Sequence, residues 1–373
     1  MEFEISANLG FNYIIKDSPD ILNPENKDIA TYSSTGNGNS NRRVVVIDRK
    51  VNIIYGDRIR NYFDHHKLNT LFVILEGTED RKILESLFLL LNEIEQFGIS
   101  RRDEPIIAIG GGVIMDIVGL AAALYRRGIP YLRIPTTLLG IVDVSVAAKT
   151  GINYLDRRNR LGSYYPPVAS LLDKSFIQTQ EPIEISSGLG EILKIAVIKD
   201  AGLFDIIEKS GHELLETKFN CENSSEVIHR SVLAMKEELE NNLWEKNLKR
   251  CVDFGHSFSP MIEMRLLETD APITHGQAVT LDVIFSSVIS HIRGFLKIED
   301  VKRIISTASK MGLMTAHPYF ERFDLLWAGL IDTKKHRGGN QNLPIPTNIG
   351  FYTFINDLRA VETCDAIDLL KQL

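Results

Sequence analysis

The first half of the chain alternates short apolar runs with stretches of helical periodicity. Four runs are rich in branched apolar residues and are bounded by Pro, Gly or acidic residues: 43–48, 71–77, 105–112 and 130–137. Continuous apolar runs of this length are typical of strands buried on both faces of a parallel sheet. Helical patterns separate them, including one at 115–125. The pattern therefore predicts an α/β sheet with crossover helices.

Beyond about residue 180, helical periodicity dominates and runs of the strand type become scarce. Segments such as EISSGLGEILKIAVIKD and SEVIHRSVLAMKEELENNLWEK carry apolar residues at intervals of three and four, as amphipathic or buried helices do. We place a domain boundary near Glu181. The prediction is an α/β domain over 1–180 and a mainly α-helical domain over 181–373, with no repeat of solenoid spacing.

The composition of the chain indicates which kinds of partner the protein binds. A net charge of −7 and a pI near 5.8 argue against a nucleic-acid-binding surface and favour a small-molecule partner. Three cysteines without CxxC spacing predict neither a disulfide framework nor a cysteine metal site, which suits a reducing compartment. The beginning, MEFEISANLG, does not resemble a secretory signal, and no apolar run reaches membrane-spanning length. We therefore expect a cytoplasmic protein that binds neither nucleic acid nor membrane.

A glycine turn follows the third apolar run. Gly110, Gly111 and Gly112 precede an apolar helix, where bare backbone amides can accept a pyrophosphate. A tight turn from strand to helix needs the same glycines, and the pattern is not GxGxxG. Asp48 ends the first run, at a place where an acid can bind ribose hydroxyls. The residues alone leave both interpretations open.

The segment 125–162 concentrates cationic and polar side chains around the apolar stretch IPTTLLGIVDVSVAAKTG. A solvated charged face is not normally interleaved with so many small and apolar residues. Because Arg and Lys bind phosphate most strongly where water is restricted, we interpret the segment as favouring a phosphorylated substrate over plain surface charge. The side chains concerned are Arg127, Arg133, Asp143, Lys149, Arg157, Arg158, Asn159 and Arg160.

Three residues in the second half have the character of a metal-binding set. Glu191 lies in SGLGEILK, His256 in DFGHSFSP and His275 in THGQAV, all within or beside apolar helical patterns. One carboxylate and two imidazoles are a normal set of ligands for a catalytic zinc ion. Spacing alone does not join the three, and the residues alone favour a hydrogen-bonded core or surface role for each histidine.

Taken together, these segments resemble the dehydroquinate synthase family. GGGVIMDIVGLAAALYRRG, RIPTTLLGIVDVSVAAKTGIN, RRNRLG, SGLGEILKIAVI, RCVDFGHSFSP and THGQAV occur in the family's order, over roughly residues 43–358. The resemblance implies an enzyme, a sugar phosphate cyclase. It also implies an α/β NAD-binding domain, a helical domain that binds metal and substrate, and a homodimer.

Site residues follow from the resemblance position by position. It implies that a divalent metal, zinc or cobalt, is held by Glu191, His256 and His275. It implies NAD contacts at Asp48, Glu79, Lys82, Gly111, Gly112, Asp116, Thr136, Thr137, Arg158, Phe176 and Thr179. It places the substrate phosphate at Arg127, Lys149, Asn159 and one of Lys334 and Lys335. Catalytic or substrate-orienting roles fall on Lys149, Lys194, Arg250, Asp253, His336, Asp143 and Asn159.

Two positions depart from the dehydroquinate synthases, which carry Asn at the position of Asp253 and His at that of Pro260. An added acid and a lost cation make a pocket less favourable for a carboxylate substrate. With His336 and the segments NNLWE, KKHRGG and LPIPTNIG, these departures resemble the sedoheptulose 7-phosphate cyclases. A neutral polyol end of the substrate is therefore expected.

The implied reaction closes sedoheptulose 7-phosphate to 2-epi-5-epi-valiolone with loss of phosphate. It combines transient oxidation by NAD, phosphate elimination, re-reduction and an intramolecular aldol closure, so NAD is regenerated in every turnover. Formation of 2-epi-valiolone or of 3-dehydroquinate are alternatives within the class. A metal-dependent polyol dehydrogenase is the alternative from another class, and it would accumulate NADH.

Overall fold

The computed structural model describes residues 2–6, 10–33, 40–155, 157–267 and 269–373. They form two compact units, Met1–Pro135 with Ala148–Asp173, and Thr136–Ala147 with Lys174–Leu373. The sequence placed the division after residue 180 and assigned 136–147 to the first domain. In the structure, the short helix Gly140–Val144 packs against helices of the second unit, which accounts for the different assignment of that segment.

The first unit contains a six-stranded sheet and a separate hairpin. Its strands are β1 (Ile14–Asp17), β2 (Arg42–Asp48), β3 (Asn69–Leu75), β4 (Ile106–Gly110), β5 (Tyr131–Pro135), β6 (Lys149–Tyr154), β7 (Arg157–Tyr164) and β8 (Ala169–Leu172). The sheet has the order β1-β8-β5-β4-β2-β3, and every neighbouring pair is parallel. The predicted parallel sheet is confirmed. β6 and β7 form an antiparallel hairpin that the sequence pattern did not predict.

Four helices accompany this sheet: α1 (Asp28–Tyr32), α2 (Arg49–His65), α3 (Leu84–Phe97) and α4 (Gly112–Leu124). The apolar sequence of α4 is explained by its burial, since eight of its thirteen residues are buried. It packs along β4, β5 and β6. The amino end of α4 is therefore fixed directly after the buried strand β4.

The second unit is mainly helical, as predicted. Its helices are α5 (Pro182–Ile198), α6 (Ala201–Glu216), α7 (Ser224–Glu240), α8 (Ser259–Leu267), α9 (His275–Ile292), α10 (Ile298–Lys310), α11 (Phe323–His336) and α12 (Ala360–Leu370), with a hairpin of β9 (Leu343–Asn348) and β10 (Phe351–Ile355). The segment Gly140–Val144 packs against α5 and α7. Within the described ranges, we find no helix whose length and apolar character would let it cross a membrane.

Helices α5 and α9 form the centre of the second unit. Both are buried along most of their length, and they pack against each other. Gly190 on α5 lies so close to the backbone of Gly276 on α9 that a Cβ atom on either glycine would overlap the other helix. The two glycines therefore allow the helix axes to approach, and each of them is adjacent to a predicted metal ligand.

Candidate active site

Glu191, His256 and His275 lie together in the second unit, as the resemblance implied. Glu191 is on α5, His275 is the first residue of α9, and His256 lies in the turn before α8. The two Nε2 atoms are 3.3 Å apart, and they lie 3.6 Å (His256) and 3.4 Å (His275) from Oε1 of Glu191. Among the described residues, this is the one cluster of three metal-type ligands.

The cluster has the chemistry of a cation site. Glu191 is only 2% exposed, and its oxygens face the ammonium of Lys194 and the Nε2 atoms of both histidines. Three ligand atoms with lone pairs converge on one point, where they repel one another unless a positive charge lies between them. One carboxylate and two imidazoles therefore fit a divalent ion such as zinc.

Protonation of the set follows from its burial and charges. Burial, reinforced by Lys194, lowers the pKa of His256 to about 3, which keeps that imidazole neutral and able to bind metal. Burial opposes ionisation of Glu191 also, but Lys194 and the imidazoles hold its pKa well below the usual range. His275 differs, since Glu263 and Glu191 overcome burial and raise its pKa to about 9.

The second nitrogen of each imidazole is also engaged. His275 Nδ1 lies 3.1 Å from Oε2 of Glu263, and His256 Nδ1 lies 3.2 Å from the carbonyl oxygen of Phe254. An acceptor at Nδ1 favours the tautomer whose Nε2 is free to bind a metal. Both Nε2 atoms consequently point at Glu191. Glu263 was not predicted, although an acid inside the apolar segment SPMIEMRLL is a signal of such a residue.

A charged network lies in the same unit. Lys194 is buried, and although burial lowers its pKa, the nearby carboxylates of Glu191, Asp143 and Asp253 raise it overall. Asp253 is also buried, and Arg250 contacts both of its oxygens, at 2.7 Å from Oδ1 and 3.2 Å from Oδ2. The predicted residues Lys194, Arg250, Asp253 and Asp143 thus belong to one electrostatic cluster.

Arg337 is a member of this network that the sequence did not identify. It is 4% exposed, its Nε lies 3.4 Å from Oδ2 of Asp253, and its Nη1 donates to the hydroxyl of Ser257 at 3.2 Å. The neighbouring His336 had been predicted to act with Asp253. The structure instead places His336 on the surface of α11, with its Nε2 3.7 Å from Asp332.

Lys334 and Lys335 are exposed as well, and Lys335 lies 3.9 Å from Asp332. Both lie in the last turn of α11. Their predicted contact with phosphate, and that of His336 with the polyol, stay predictions. The side chain that enters the buried network from this end of α11 is Arg337.

In the first unit, the glycine turn has the predicted form. Gly111 is the N-cap residue of α4, and no side chain caps the helix there. A Cβ on Gly110 would come within 2.8 Å of Ile114 and 3.1 Å of Asp48, so this turn has no space for one. Free amides at the start of a thirteen-residue helix fit a pyrophosphate group. Asp48 also accepts a hydrogen bond from the amide of Lys50 at 2.7 Å, which caps α2.

Several predicted cofactor residues of the first unit form one network around the buried Lys82. Lys82 is 4% exposed, and its ammonium lies 2.5 Å from Asp116 and donates to Asn159 at 2.6 Å. Arg158 lies 3.1 Å from Glu79. Burial alone would raise the pKa of Glu79, but Arg158 and Lys82 lower it.

Asn153 completes this network and was not predicted. Its amide donates to Glu79 at 2.8 Å, and its oxygen accepts from the backbone of Asn159 at 2.9 Å. Asn159 had been predicted to bind the substrate phosphate, whereas here it contacts Lys82. It has a positive φ of 50°, a conformation that asparagine tolerates better than most residues.

The remaining predicted positions are distributed over both units. Arg127 and Lys149 are exposed side chains of the first unit. Thr136 is buried, and the hydroxyl of Thr137 accepts from the amide of Gly140 at 3.0 Å. Phe176 is buried, while the hydroxyl of Thr179 donates to its carbonyl oxygen at 3.0 Å. These local bonds fix backbone turns, and the assignment of the residues to NAD stays a prediction.

Known proteins with a similar sequence are consistent with this site. A 2-epi-5-epi-valiolone synthase of Actinomyces sp is 42% identical over 100% of this chain and 98% of its own length. Another, of Streptomyces albus, is 43% identical over 99% of this chain and 90% of its own. The solved structure of the 2-epi-5-epi-valiolone synthase ValA from Streptomyces hygroscopicus subsp. jinggangensis 5008, with NAD⁺ and Zn²⁺ bound, matches with a TM-score of 0.92 and 39% identity, over 99% of both chains.

Family models divide the chain in two. The 3-dehydroquinate synthase N-terminal model matches residues 72–187, and the 3-dehydroquinate synthase C-terminal model matches residues 188–335. Together with relatives that are more than 40% identical over essentially the whole chain, these matches settle the class. The protein belongs to the dehydroquinate synthase family of sugar phosphate cyclases.

Proposed function

We propose that the protein closes sedoheptulose 7-phosphate to 2-epi-5-epi-valiolone with loss of phosphate, using NAD and a divalent metal. The observation that carries the proposal is the convergence of the buried Glu191 with His256 and His275. It occurs in a chain that is 42% identical over its full length to a 2-epi-5-epi-valiolone synthase. The cytoplasmic location and the homodimer implied by the sequence remain predictions.

Glu191, His256 and His275 would hold the metal through one oxygen and two Nε2 atoms. A bound divalent ion supplies Lewis-acid polarisation of substrate oxygens. Lys194 is paired with Glu191 and buried, so its ammonium would donate to substrate hydroxyls next to the metal ligands. Its raised pKa keeps it a donor at neutral pH.

The cofactor would use the glycine turn and its surroundings. Gly111 and Gly112 offer the amides of α4 to the pyrophosphate, and Asp48 offers a carboxylate to ribose hydroxyls. NAD supplies a reversible hydride acceptor when bound. The network of Glu79, Lys82 and Asp116 would support the same group, since Lys82 already pairs with Asp116 and Arg158 with Glu79.

The substrate phosphate would be bound by the exposed cations Arg127 and Lys149, by Asn159, and by one of Lys334 and Lys335. Ammonium and guanidinium groups form charge-assisted hydrogen bonds with a phosphate dianion. Arg250 and Asp253 would orient the polyol chain. Because Arg250 already contacts both oxygens of Asp253, the pair presents a nearly neutral polar surface to the substrate.

NAD⁺ is expected to be needed in less than stoichiometric amounts. The hydride that is removed early is returned before product release, so absorbance in the NADH band should not rise in step with product. The measurement is incubation of the metal-loaded enzyme with sedoheptulose 7-phosphate and catalytic NAD⁺, with identification of the product by NMR. One NADH formed per substrate consumed would show a polyol dehydrogenase instead, and a product with 2-epi-valiolone stereochemistry would correct the assignment within the class.

The substitution Lys82→Met is expected to weaken NAD⁺ binding by about ten- to a hundredfold, which corresponds to the loss of one or two charge-assisted hydrogen bonds. It removes the ammonium that holds Asp116 and Asn159 in place. NAD⁺ titration by calorimetry gives the affinity. Lys16→Met is the matched control, because Lys16 also pairs with an aspartate of the first unit, Asp28 at 2.7 Å, outside this network. Equal affinities in wild type and K82M would remove the network from the cofactor site.

A further inference from the structure

A buried carboxylate outside the ligand set holds the turn that carries His256. Asp282 on α9 is fully buried, and its Oδ2 accepts the backbone N–H groups of Ser257 at 2.9 Å, Phe258 at 2.6 Å and Ser259 at 2.8 Å. These are the three residues that directly follow His256. Its other oxygen accepts from the hydroxyl of Ser286 at 3.0 Å. A single oxygen atom therefore fixes the backbone on one side of a metal-ligand candidate.

The same helix carries the second imidazole. His275 is the first residue of α9, and Asp282 follows it by seven residues, or about two helical turns, so both side chains project from the same face. Because α9 is buried along most of its length, the two side chains are held in a fixed relation. One rigid helix thus supplies one ligand directly and positions the other through the turn 257–259.

Helix α8 provides a second buried carboxylate, which contacts His275 on α9. It begins at Ser259, at the turn that Asp282 holds, and it carries Glu263, which is 4% exposed and lies 3.1 Å from Nδ1 of His275. Helix α9 therefore contributes the buried Asp282 to the turn that follows His256, and α8 contributes the buried Glu263 to His275. We call Asp282 and Glu263 the carboxylate brace.

We propose that the carboxylate brace sets the geometry and affinity of the metal centre, with Asp282 acting as a positioning residue for His256 and Glu263 as one for His275. Neither residue is expected to touch the substrate. The proposal rests on the metal site of the proposed function, and it is independent of which sugar phosphate is the substrate. A purely structural role for Asp282, as a cap of α8, would change protein stability alone.

The test compares Asp282→Asn and Glu263→Gln with Asp200→Asn. Both brace variants keep side-chain volume and remove the charge. Asp200 is the matched control, since it caps α6 in the same unit by accepting from the amide of Leu203 at 3.0 Å and is not part of the metal set. Affinity for Zn²⁺ is measured by competition with a chromophoric chelator. The visible absorption spectrum of the Co²⁺-loaded protein reports ligand geometry, and thermal unfolding reports stability.

We expect each brace variant to bind Zn²⁺ about ten- to a hundredfold more weakly than wild type and to shift the Co²⁺ absorption bands, as loss of a partner around a metal ligand typically does. Asp200→Asn should lower the melting temperature and leave both metal readouts unchanged. Unaltered Zn²⁺ affinity and Co²⁺ spectra in the brace variants would overturn the proposal, and so would an equal loss in Asp200→Asn. If Asp282→Asn does not fold, Glu263→Gln alone decides. A wild-type protein that binds neither ion overturns the metal site itself, together with the brace.

Discussion

Glu191→Gln is expected to abolish zinc binding and to lower turnover by about a thousandfold or more, since Lewis-acid stabilisation by a metal is worth several kcal/mol. Glutamine keeps the size of the side chain but replaces an anionic ligand by a neutral amide. The structure gives this substitution a second effect. Lys194 is buried against Glu191, so the variant leaves its ammonium with one less carboxylate and should also unfold at a lower temperature.

His256→Ala separates the two effects, because it removes a metal ligand and leaves the ion pair of Glu191 with Lys194 intact. Zinc content by elemental analysis and turnover should fall as in Glu191→Gln, with a smaller loss of thermal stability. His291→Ala is the control. His291 lies in the last turn of α9, the helix that begins with His275, and it bonds to Leu296 at 2.9 Å. Full activity of a protein shown to be metal-free would contradict the assignment.

The parallel sheet could be predicted because its central strands are buried on both faces. Runs such as RRVVVID and IIAIG do not alternate apolar with polar residues. Continuous apolar runs of this kind are typical of a parallel strand with both faces buried. Strands β1 and β8 have four residues each, too few to give a pattern. The hairpin of β6 and β7 was missed because β7, RRNRLGSY, is mostly exposed and rich in arginine, so its composition indicated a binding loop.

Residue type and context suggested the metal set, but only the family resemblance joined its three members into one site. Glu191, His256 and His275 lie on three different elements, and no sequence spacing encodes the approach of α5 to α9 that joins them. That approach depends on Gly190 and Gly276, each next to a ligand, where any side chain would separate the helices. A glycine beside a ligand candidate is thus the local sequence signal that the helices pack closely there.

The inward direction of Arg337 follows from the helical periodicity of α11. The buried face of α11 includes Leu326 and Leu330, and position 337 follows Leu330 by seven residues, about two turns further on the same face. Periodicity therefore selects Arg337, rather than His336, as the inward-facing cation of KKHRGG. The prediction for His336 came from the resemblance, which compares residue types and carries no information on the direction of a side chain.

The charged network around Asp253 gives a physical reason for the expected preference for a neutral substrate end. Arg250 is paired with both Asp253 and Glu245, and Arg337 lies 3.4 Å from Asp253. The two guanidinium charges are thus balanced by two carboxylates, so neither guanidinium offers an unbalanced charge to a substrate carboxylate. A neutral polyol chain can bond to such a balanced cluster, whereas a further carboxylate meets Asp253 as a like charge.

Wild-type enzyme is therefore expected to prefer sedoheptulose 7-phosphate over the heptulosonate substrate of dehydroquinate synthase by about a hundredfold or more in kcat/KM, because a partly desolvated like-charge contact costs on the order of a few kcal/mol. Asp253→Asn should lower turnover of the heptulose by about tenfold or more and narrow that preference, since it leaves one guanidinium charge unbalanced. Zinc content should not change. Asp357→Asn is the control, because Asp357 also pairs with an arginine, Arg293 at 2.6 Å, but is largely exposed. Efficient conversion of the heptulosonate by the wild type, or an unchanged preference in Asp253→Asn, would show that the charge of Asp253 does not select the substrate.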